Sequence, residues 1–249
     1  MIILLTATDE MKINVDVIYS DDDLVVANKP AGITVIPDRI HPEWETVQTI
    51  LEKQFGKLWI VHRIDRNTSG VLCFARNEAA HRHVSLQFQN HTVKKVYAAI
   101  ATGRMKAPHG EISEPIAENM ARPGSMLIHK RGKDALTIYD VVEEFKHASF
   151  LKVEIKTGRT HQIRVHLAYI GNPLLVDELY AGKAAFYFSS IKRKYKATDE
   201  EERPTIARLT LHASQITLQH PVTGKDVTFE APLPKDLETV LKLLRKYDA

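Results

Sequence analysis

The sequence has little of what stabilises secreted proteins or carries a chain across a membrane. Among its 249 residues Cys73 is the single cysteine, which excludes an internal disulfide and favours a reducing compartment. The apolar run at residues 1–5 has no basic residue before it and is too short for a secretory signal or a membrane span. We therefore expect a soluble, cytoplasmic protein with no membrane partner.

Metal-ligand patterns are also missing. The chain has 12 histidines, but His161 and His166 lie five residues apart, whereas two ligands on one helix face lie four apart. His81 and His83 point to different faces of a predicted helix, and no pair of cysteines exists to complete a zinc site. The combination of an H-x-E segment with a P-C-x-x-C segment, which zinc-dependent base deaminases carry, is absent as well, because the chain has a single cysteine. We expect no metal site.

The charge balance leaves nucleic-acid binding open. The formal net charge is +3, which neither supports nor excludes such a partner. Basic clusters lie at residues 129–133 and 191–196, and an acidic run at 199–202 follows the second cluster closely. Clusters of this kind contact a phosphate backbone or form a solvated face.

Hydrophobic patterns predict strands that pair as hairpins. Residues 151–156 alternate between apolar and charged side chains, as in a half-buried strand. Residues 15–19 and 24–27 flank a polar turn, and so do residues 216–218 and 227–229. Two antiparallel hairpins are therefore predicted.

Helical spacing predicts four helices among these strands. They are expected at residues 47–55, directly after the cap residue Asn77, at 161–170 and at 235–247. For the third helix, Thr160 is the expected N-cap and Gly171 the C-cap. Residues 181–205 have no clear pattern and are interpreted as a long charged insertion loop. Hairpins with interspersed helices indicate the α+β class.

The most informative segment is V-H-R-I-D-R-N-T-S-G at residues 61–70. It sets Asp65 between Arg63 and Arg66, and nearby guanidinium groups favour the ionised form of a carboxylate. An ionised carboxylate can act as a nucleophile or a base. On these ten residues alone, an aspartate that caps a turn and forms a surface ion pair is an equal alternative.

This segment resembles the H-R-L-D-R-x-T-S-G signature of the RluA-like family of RNA pseudouridine synthases. A second segment, T-G-R-T-H-Q-I-R-V-H-L at residues 157–167, is similar to another motif of that family. Three shorter blocks follow in the family's order, N-K-P-A-G at 28–32, K-V-Y at 95–97, and L-H-A at 211–213 before His220-Pro221. The resemblance covers residues 15–235.

The resemblance implies both a fold and a reaction. The fold would be a mostly antiparallel, bent mixed sheet with flanking helices and a central active-site cleft. The reaction would isomerise a flipped-out uridine of ribosomal or transfer RNA by cleaving C1′–N1 and joining C1′ to C5. Because the product is an isomer, no cofactor is needed. We expect RNA as the partner and a monomeric enzyme.

The resemblance also assigns roles to three side chains. Asp65 would be the catalytic carboxylate, acting covalently on the sugar or as a base at C2′. Arg164 would pair with Asp65, and the alternative is a surface arginine that caps a local group. Tyr97 would stack on the target base, and the alternative is an ordinary strand aromatic.

Five further residues are candidates for substrate binding. Arg63 is expected to fill the space of the flipped nucleotide or to bind a phosphate, while Lys29 and Arg159 lie beside turn residues and are plausible phosphate contacts. Arg66 and Leu167 complete the set. His62, His161 and His166 are interpreted as structural; a histidine base is the alternative, although the family's chemistry does not call for one.

Two other functions stay open at this level. A glycosidase or nucleosidase would use Asp177 as a second carboxylate. The resemblance offers a simpler role, since a G-D-x-x-Y-G block commonly follows at this point, although Val176 and Ala181 replace both glycines here. A non-catalytic RNA-binding module or RNA chaperone with the same fold is the other alternative.

The expected organisation is an extension at residues 1–14 followed by one catalytic domain at 15–249. Many family members carry an additional RNA-binding domain of the ribosomal S4 type before the catalytic domain, and none is expected here. The choice of RNA is then expected to depend on the insertion at 181–205 and the basic segment at 129–133.

Overall fold

A ten-stranded sheet forms the centre of the fold. The structure, a computed structural model, describes residues 13–37, 41–192 and 202–249. In chain order the strands are β1 (Asp16–Ser20), β2 (Leu24–Lys29), β3 (Trp59–Ile60), β4 (Ser69–Ala75), β5 (Lys94–Thr102), β6 (His109–Ser113), β7 (Ile116–Glu118), β8 (Met126–Ile128), β9 (Leu136–Glu144), β10 (Ala148–Ile155), β11 (Leu211–Gln219) and β12 (Asp226–Glu230). The helices are α1 (Val47–Phe55), α2 (Glu78–Gln89), α3 (Gln162–Tyr169) and α4 (Lys235–Tyr247).

In the sheet, β11 and β5 lie between β4, where the first long motif ends, and β10, which precedes the second. Across the sheet the order is β1-β2-β4-β11-β5-β10-β9-β6, with β3 also paired to β4 and β12 to β11, while β7 and β8 form a separate ribbon. Among the described pairs, only β4 with β11 is parallel. The predicted α+β class with a mostly antiparallel mixed sheet is confirmed, as are both predicted hairpins.

The parallel contact between β4 and β11 depends on Gly70. Its φ is +116°, and a Cβ atom at this position would lie 2.1 Å from the carbonyl oxygen of Ala213. Only glycine fits this close approach of two backbones. The end of the first motif is therefore fixed against the strand that starts with Leu211.

Three helices begin and end close to where capping signals predict. Thr46 and Thr49 form a capping box at α1, which ends at Gly56 with a φ of 73°. Asn77 caps α2 through the amide of Ala80, and α4 spans residues 235–247.

The predicted start of α3 is wrong. The N-cap is His161 rather than Thr160, and it has the left-handed values φ 54° and ψ 21° without a side-chain capping bond. The chain therefore enters α3 through a strained residue instead of a hydroxyl cap. At the other end the C-cap is Ile170, and Gly171 follows it with a φ of 88°.

Tyr97 lies where two hydrophobic clusters meet. One cluster gathers β5, β10 and α3 around Leu151 and Leu167, and the other gathers β2, β4 and α1 around Leu72 and Phe74. Tyr97 packs against both clusters. Cys73 is fully buried, as its apolar surroundings predict, and burial raises the pKa of its thiol to about 12.

Parts of the predicted extension and insertion lie outside the described residues. These are residues 1–12 of the extension and 193–201 of the insertion. Within the described part of the insertion, residues 188–190 form one 3₁₀ turn, and Phe186 bridges to Ile206. Within the described ranges, the helices are too short and too polar to cross a lipid bilayer.

Candidate active site

A cleft of about 510 Å³ lies where the motif at residues 61–70 faces β5 and the start of α3. This volume falls in the usual range of small-molecule sites. Asp65, Tyr97 and Arg164 all line the cleft, together with Arg63 and Arg159. Residues of the two long motifs, Asp65 and Arg164 among them 99 positions apart, therefore line one cavity.

Asp65 occupies a turn that the backbone holds from two sides. Its carbonyl oxygen accepts the amide of Thr68 at 3.1 Å, and the next carbonyl, of Arg66, accepts the amide of Gly32 at 2.9 Å. The side chain of Asp65 is 29% exposed and reaches into the cleft. A fixed backbone with an accessible carboxylate is the arrangement that a reacting group needs.

Arg164 joins two carboxylates. Its Nε and Nη2 donate to both oxygens of Asp177 at 2.7 and 2.9 Å, and its Nη1 donates to Asp65 Oδ2 at 3.3 Å. Burial acts to lower the pKa of Arg164, but the hydrogen bonds and charge of Asp177, with the charge of Asp65, outweigh burial and raise it. The predicted contact between Asp65 and Arg164 is present, and Asp177 is the anchor that the sequence did not reveal.

Asp177 cannot serve as a second catalytic carboxylate in this conformation. Its side chain is 1% exposed, and both oxygens are engaged by Arg164. Oδ1 also accepts the amides of Leu179 and Tyr180 at 3.0 and 3.1 Å. The signal for this role was the partial G-D-x-x-Y-G block around residue 177, which fixes the turn even without its glycines.

Tyr97 forms a wall of the cleft beside Asp65. Burial, and then the negative charge of Asp65, raise the pKa of the Tyr97 hydroxyl above its usual range. The hydroxyl therefore keeps its proton at neutral pH, and the ring is held between the two hydrophobic clusters. These contacts support a fixed aromatic surface in the cleft.

Lys95 is a cleft residue that the sequence reasoning did not select. It is 8% exposed, and its Nζ donates to the carbonyl of Thr157 at 3.3 Å. Burial, assisted by the charge of Arg159, lowers the pKa of Lys95 to about 8. Its place two residues before Tyr97, on the same face of a strand, was the available signal.

Two predicted phosphate contacts do lie at the cleft. Arg63 is exposed, while Arg159 is half-buried and its Nε donates to the carbonyl of Asp134 at 2.9 Å. Arg66 is exposed outside the cleft, where it donates to the carbonyl of Gly32 and lies 5.1 Å from the ring of Trp44. These positions leave the roles of the three arginines as predictions.

Lys29 and Leu167 do not line the cleft. Lys29 is completely buried, and its Nζ donates to the carbonyls of Pro30, Ile33 and Arg66 at 2.7–2.8 Å. Burial lowers the pKa of Lys29 to about 7, against the attraction of Asp65. With its donors used by the turn next to Asp65, Lys29 has none to offer a phosphate. Leu167 is 0% exposed, in the hydrophobic cluster beneath the cleft.

Two motif histidines have structural contacts, as predicted. His62 accepts the amide of Cys73 through Nε2 at 3.0 Å, and burial lowers its pKa to about 3. His166 is fully buried between the hydroxyl of Thr137 and the carbonyl of Glu114, each at 2.9 Å. Both rings therefore stay neutral and hold the backbone around the cleft.

One group of possible metal ligands occurs among the described residues, away from the cleft. Ligand atoms of Asp21, Asp23 and His220 lie within 4.8 Å of one another. The Asp21 carboxylate already accepts hydrogen bonds from two amides and the hydroxyl of Tyr19, and it lies 2.7 Å from His220 Nε2. We therefore assign no metal to this group.

Comparison with known proteins decides the family. A family model described as RNA pseudouridylate synthase matches residues 23–169. The chain is 31% identical over 248 residues to ribosomal large subunit pseudouridine synthase D of Haemophilus ducreyi. This alignment covers 95% of this chain and 73% of the relative. The chain belongs to the RNA pseudouridylate synthase family. The protein of the same name from Blochmanniella floridana is 35% identical over 246 residues, covering 94% of this chain and 74% of the relative.

Solved structures agree with this family. Human RNA Pseudouridylate Synthase Domain Containing 1 has a TM-score of 0.67 at 27% identity and covers 95% of this chain and 97% of its own. Human RNA Pseudouridylate Synthase Domain Containing 4 shares the fold, with a TM-score of 0.70 at 24% identity, covering 92% of this chain and 93% of its own. The predicted family and enzyme class are confirmed. This pseudouridine synthase is an isomerase that acts on RNA, which sets aside the nucleosidase and chaperone alternatives.

Proposed function

We propose that this enzyme converts uridine to pseudouridine in the RNA of the large ribosomal subunit. The names of its relatives refer to that subunit, which supports ribosomal RNA over transfer RNA. A ribosomal substrate also favours a cytoplasmic location. We also propose that the enzyme acts as a monomer, because Asp65, Tyr97 and Arg164 come together within a single chain.

The observation that carries the proposal is the orientation of the Asp65 carboxylate. Among the described residues, its side-chain contacts are made through Oδ2, to Arg164 Nη1 at 3.3 Å and His161 Nε2 at 3.8 Å. Oδ1 is thereby left for a ligand in the cleft. We propose that Oδ1 acts on the ribose of the target uridine.

Two routes for Asp65 start from this orientation. Attack on C1′ would form an O–C1′ bond while the C1′–N1 bond breaks, whereas removal of the C2′ proton would expel the base by elimination. In both routes the electron pair of the broken bond leaves on uracil. The base then turns and C5 bonds to C1′. In the first route the O–C1′ bond breaks as this bond forms, and in the second route the carboxylic acid returns its proton to C2′. The C5 proton is then lost and N1 gains one, so that the product is an isomer.

Tyr97 is the proposed platform for the loosened base. An aromatic face stabilises a stacked base by roughly 1–3 kcal/mol without requiring one set of base edges. Rotation of uracil between cleavage and rejoining needs this tolerance. The fixed position of the ring between two hydrophobic clusters, and the protonated state of its hydroxyl, support the role.

Basic residues around the cleft are the proposed contacts to RNA. Arg63 is exposed at the cleft and is suited to occupy the space of the extruded uridine, which offsets part of an unstacking cost of a few kcal/mol. Arg159 and Arg66 flank the cleft as phosphate contacts. We also propose that residues 15–249 act as one catalytic domain, and that the exposed basic turn at 129–133 and the insertion at 181–205 select the RNA.

Mapping pseudouridine in RNA from a strain that lacks the gene tests this proposal. The purified wild-type protein and the Asp65→Asn variant are each added to that RNA, and pseudouridines are located by carbodiimide labelling. We expect the wild type to restore pseudouridine in large-subunit ribosomal RNA and Asp65→Asn to restore none, because an amide neither attacks C1′ nor removes the C2′ proton. Modification of transfer RNA alone would overturn the substrate, and activity of Asp65→Asn would overturn the mechanism.

Light scattering of the free protein and of its complex with RNA tests the oligomeric state. We expect one protein chain in each case. A dimer that forms only with RNA would contradict the monomer.

A further inference from the structure

His91 and His161 both line the cleft in a left-handed conformation that the proposed chemistry leaves unexplained, and His161 is the one that lies beside Asp65. It is one of two described non-glycine residues with a positive φ, and this left-handed conformation is unfavourable for a residue with a Cβ atom. Strain of this kind persists where the surrounding structure requires it. In this conformation the imidazole lines the cleft, with Nε2 3.8 Å from Asp65 Oδ2.

The hydrogen bonds of the Tyr180 hydroxyl indicate which ring nitrogen of His161 carries the proton. The Tyr180 hydroxyl oxygen accepts the amide of Met126 at 2.8 Å and lies 2.9 Å from His161 Nδ1. A backbone amide only donates, so the hydroxyl proton remains available for Nδ1. If Nδ1 carried the proton instead, the hydroxyl would have no acceptor among the described residues. The proton of a neutral His161 ring is therefore on Nε2.

The charges around the ring favour the same tautomer. Nε2 faces the Asp65 carboxylate, which attracts an N–H group and repels a bare lone pair. Burial lowers the pKa of His161; Asp65 and Asp177 oppose this shift, and Arg164 and Arg63 add to it. Burial also raises the pKa of the Tyr180 hydroxyl, which keeps its proton.

We infer that His161 is a positioning residue that presents an Nε2–H proton to Asp65 Oδ2, in a tautomer fixed by the Tyr180 hydroxyl. The inference rests on the proposed role of Asp65. Arg164 and His161 then hold one carboxylate oxygen from two directions and direct the other oxygen to the ribose. The distance of 3.8 Å is longer than a hydrogen bond, and such contacts commonly shorten when substrate binds.

Tyr180 connects this contact to the arginine anchor. Its ring lies 4.9 Å from the Arg164 guanidinium, and its amide donates to Asp177 Oδ1 at 3.1 Å. One tyrosine thus supports both groups that hold Asp65, through its ring on one side and its hydroxyl on the other. Removal of the hydroxyl alone should therefore affect His161 and leave the contact between the ring and Arg164 in place.

Nitrogen NMR of histidine in the intact protein tests the tautomer without any assay of activity. The His161 signals are identified by their loss in His161→Gln. We expect Nδ1 to resonate as an unprotonated nitrogen and Nε2 as a protonated one at neutral pH, and Tyr180→Phe to shift the ring toward the Nδ1–H form. A wild-type ring with its proton on Nδ1, or a charged ring, would overturn the inference.

Kinetics of two replacements at His161 test the positioning role. The glutamine amide can offer an N–H close to the place of Nε2–H, whereas alanine cannot. Both residues keep a Cβ atom in the same backbone conformation, so their strain is matched. In His161→Ala we expect kcat to fall by roughly 10–100-fold, with KM changed by less than about threefold. In His161→Gln we expect at least half of that loss of kcat, on a logarithmic scale, to be recovered. Equal kcat values for His161→Ala and the wild type, or for the two variants, would contradict the role.

Tyr180→Phe supplies the second kinetic test. The phenyl ring keeps its place beside Arg164, so the change removes only the hydroxyl, with its proton to Nδ1 and its acceptor for the amide of Met126. We expect kcat to fall by about tenfold with little change in KM. The control is Tyr169→Phe, which removes a hydroxyl from a 55% exposed side chain outside the cleft, and which we expect to leave kcat unchanged.

The outcomes separate this inference from the proposed function. If the wild type forms pseudouridine and His161→Ala is equally active, the inference fails and the function stands. If the wild type forms none in any RNA, the proposed function fails, while the NMR result still decides the tautomer. Thermal unfolding of each variant shows whether a loss of kcat reflects a loss of fold.

Discussion

Arg164 shows how a cation can be stable in the first turn of a helix, where the dipole disfavours it. Asp177 lies close enough for a bidentate ion pair, and Asp65 accepts from the remaining nitrogen. The sequence indicated that an anion should lie nearby and suggested Asp65. The partial G-D-x-x-Y-G block marked the turn at Asp177 but did not show that Asp177 is the stronger partner, since a bidentate geometry arises only when the chain folds back from α3.

At the scale of single residues, we predict that Asp177→Asn will weaken both stability and catalysis. The change keeps the shape of the side chain but leaves the buried guanidinium without its anionic anchor. Breaking a buried ion pair typically costs about 3–5 kcal/mol, and displacement of Arg164 should lower kcat by roughly 10–100-fold. Urea unfolding and single-turnover kinetics measure the two effects.

The neighbouring residue Glu178 provides the control for Asp177. Glu178 is exposed, so Glu178→Gln removes one charge from the same segment without touching Arg164. We expect this variant to match the wild type in both measurements. An Asp177→Asn variant with wild-type kcat would show that Arg164 needs no anchor to support Asp65.

Lys29 is a residue whose contacts could not be predicted from the sequence. A lysine between a strand and the turn Pro30-Ala31-Gly32 has the pattern of a phosphate contact. Its actual partners include the carbonyl of Arg66, 37 positions away. Only the packing of β2 against β4 brings that carbonyl close and encloses the ammonium group. Local patterns do not contain this information.

At the scale of elements, periodicity and caps predicted the helices and five strands, β1, β2, β10, β11 and β12. The hairpins, α1, α2 and α4 follow from alternating or helical spacing and from residues such as Asn77. The start of α3 could not be predicted in this way, because His161 adopts its left-handed conformation through contacts with Tyr180 and the cleft. The exception to local rules therefore falls at the candidate active site, as is common for functional residues.

The contact between β4 and β11 should depend on the absence of a side chain at Gly70. We predict that Gly70→Ala will cost more than about 4 kcal/mol, because the new methyl group would overlap the backbone of Ala213. The shift of β4 would also displace the turn that holds Asp65. Chemical unfolding measures the loss of stability, and pseudouridine formation by the folded fraction measures the displacement.

A second glycine separates overlap from backbone strain. Gly224 has a φ of +66° in a hairpin turn, and a Cβ atom there would contact nothing within 4 Å. We expect Gly224→Ala to cost about 1 kcal/mol from its left-handed conformation alone. Similar losses of stability for Gly70→Ala and Gly224→Ala would mean that β4 and β11 can move apart without a cost in free energy.

At the scale of the whole molecule, partly buried polar contacts connect distant parts of the described chain. Asp21, in the turn between β1 and β2, lies 2.7 Å from Nε2 of His220 in the turn before β12. Asp236, at the start of α4, pairs with Arg208, whose Nη1 also donates to Ser69 Oγ at 3.2 Å. The first contact joins the two hairpins, and the second joins the start of α4, through Arg208, to the motif that carries Asp65.

Such contacts make global stability depend on pH in a defined direction. Partial burial acts to raise the pKa of Asp21, but hydrogen bonds from the Tyr19 hydroxyl and from the amides of Leu24 and Asp23 prevail and lower it to about 2. In the unfolded chain the same carboxyl has its usual value near 3.8. The stabilisation is therefore fully present above about pH 4, and it is lost as the pH falls toward 2.

We predict that Asp21→Asn will lower the free energy of unfolding by about 1–2 kcal/mol at pH 7, because the amide replaces charge-assisted hydrogen bonds with neutral ones. The difference from the wild type should shrink as the pH falls from 4 to 2, since the wild-type carboxyl then becomes protonated too. Urea unfolding across this pH range measures the difference. Asp22→Asn, at the exposed neighbouring position, should follow the wild type throughout. If the free energies of unfolding of Asp21→Asn and the wild type differed by the same amount at every pH, the difference would come from altered packing and not from the charge of Asp21 at the contact between the two hairpins.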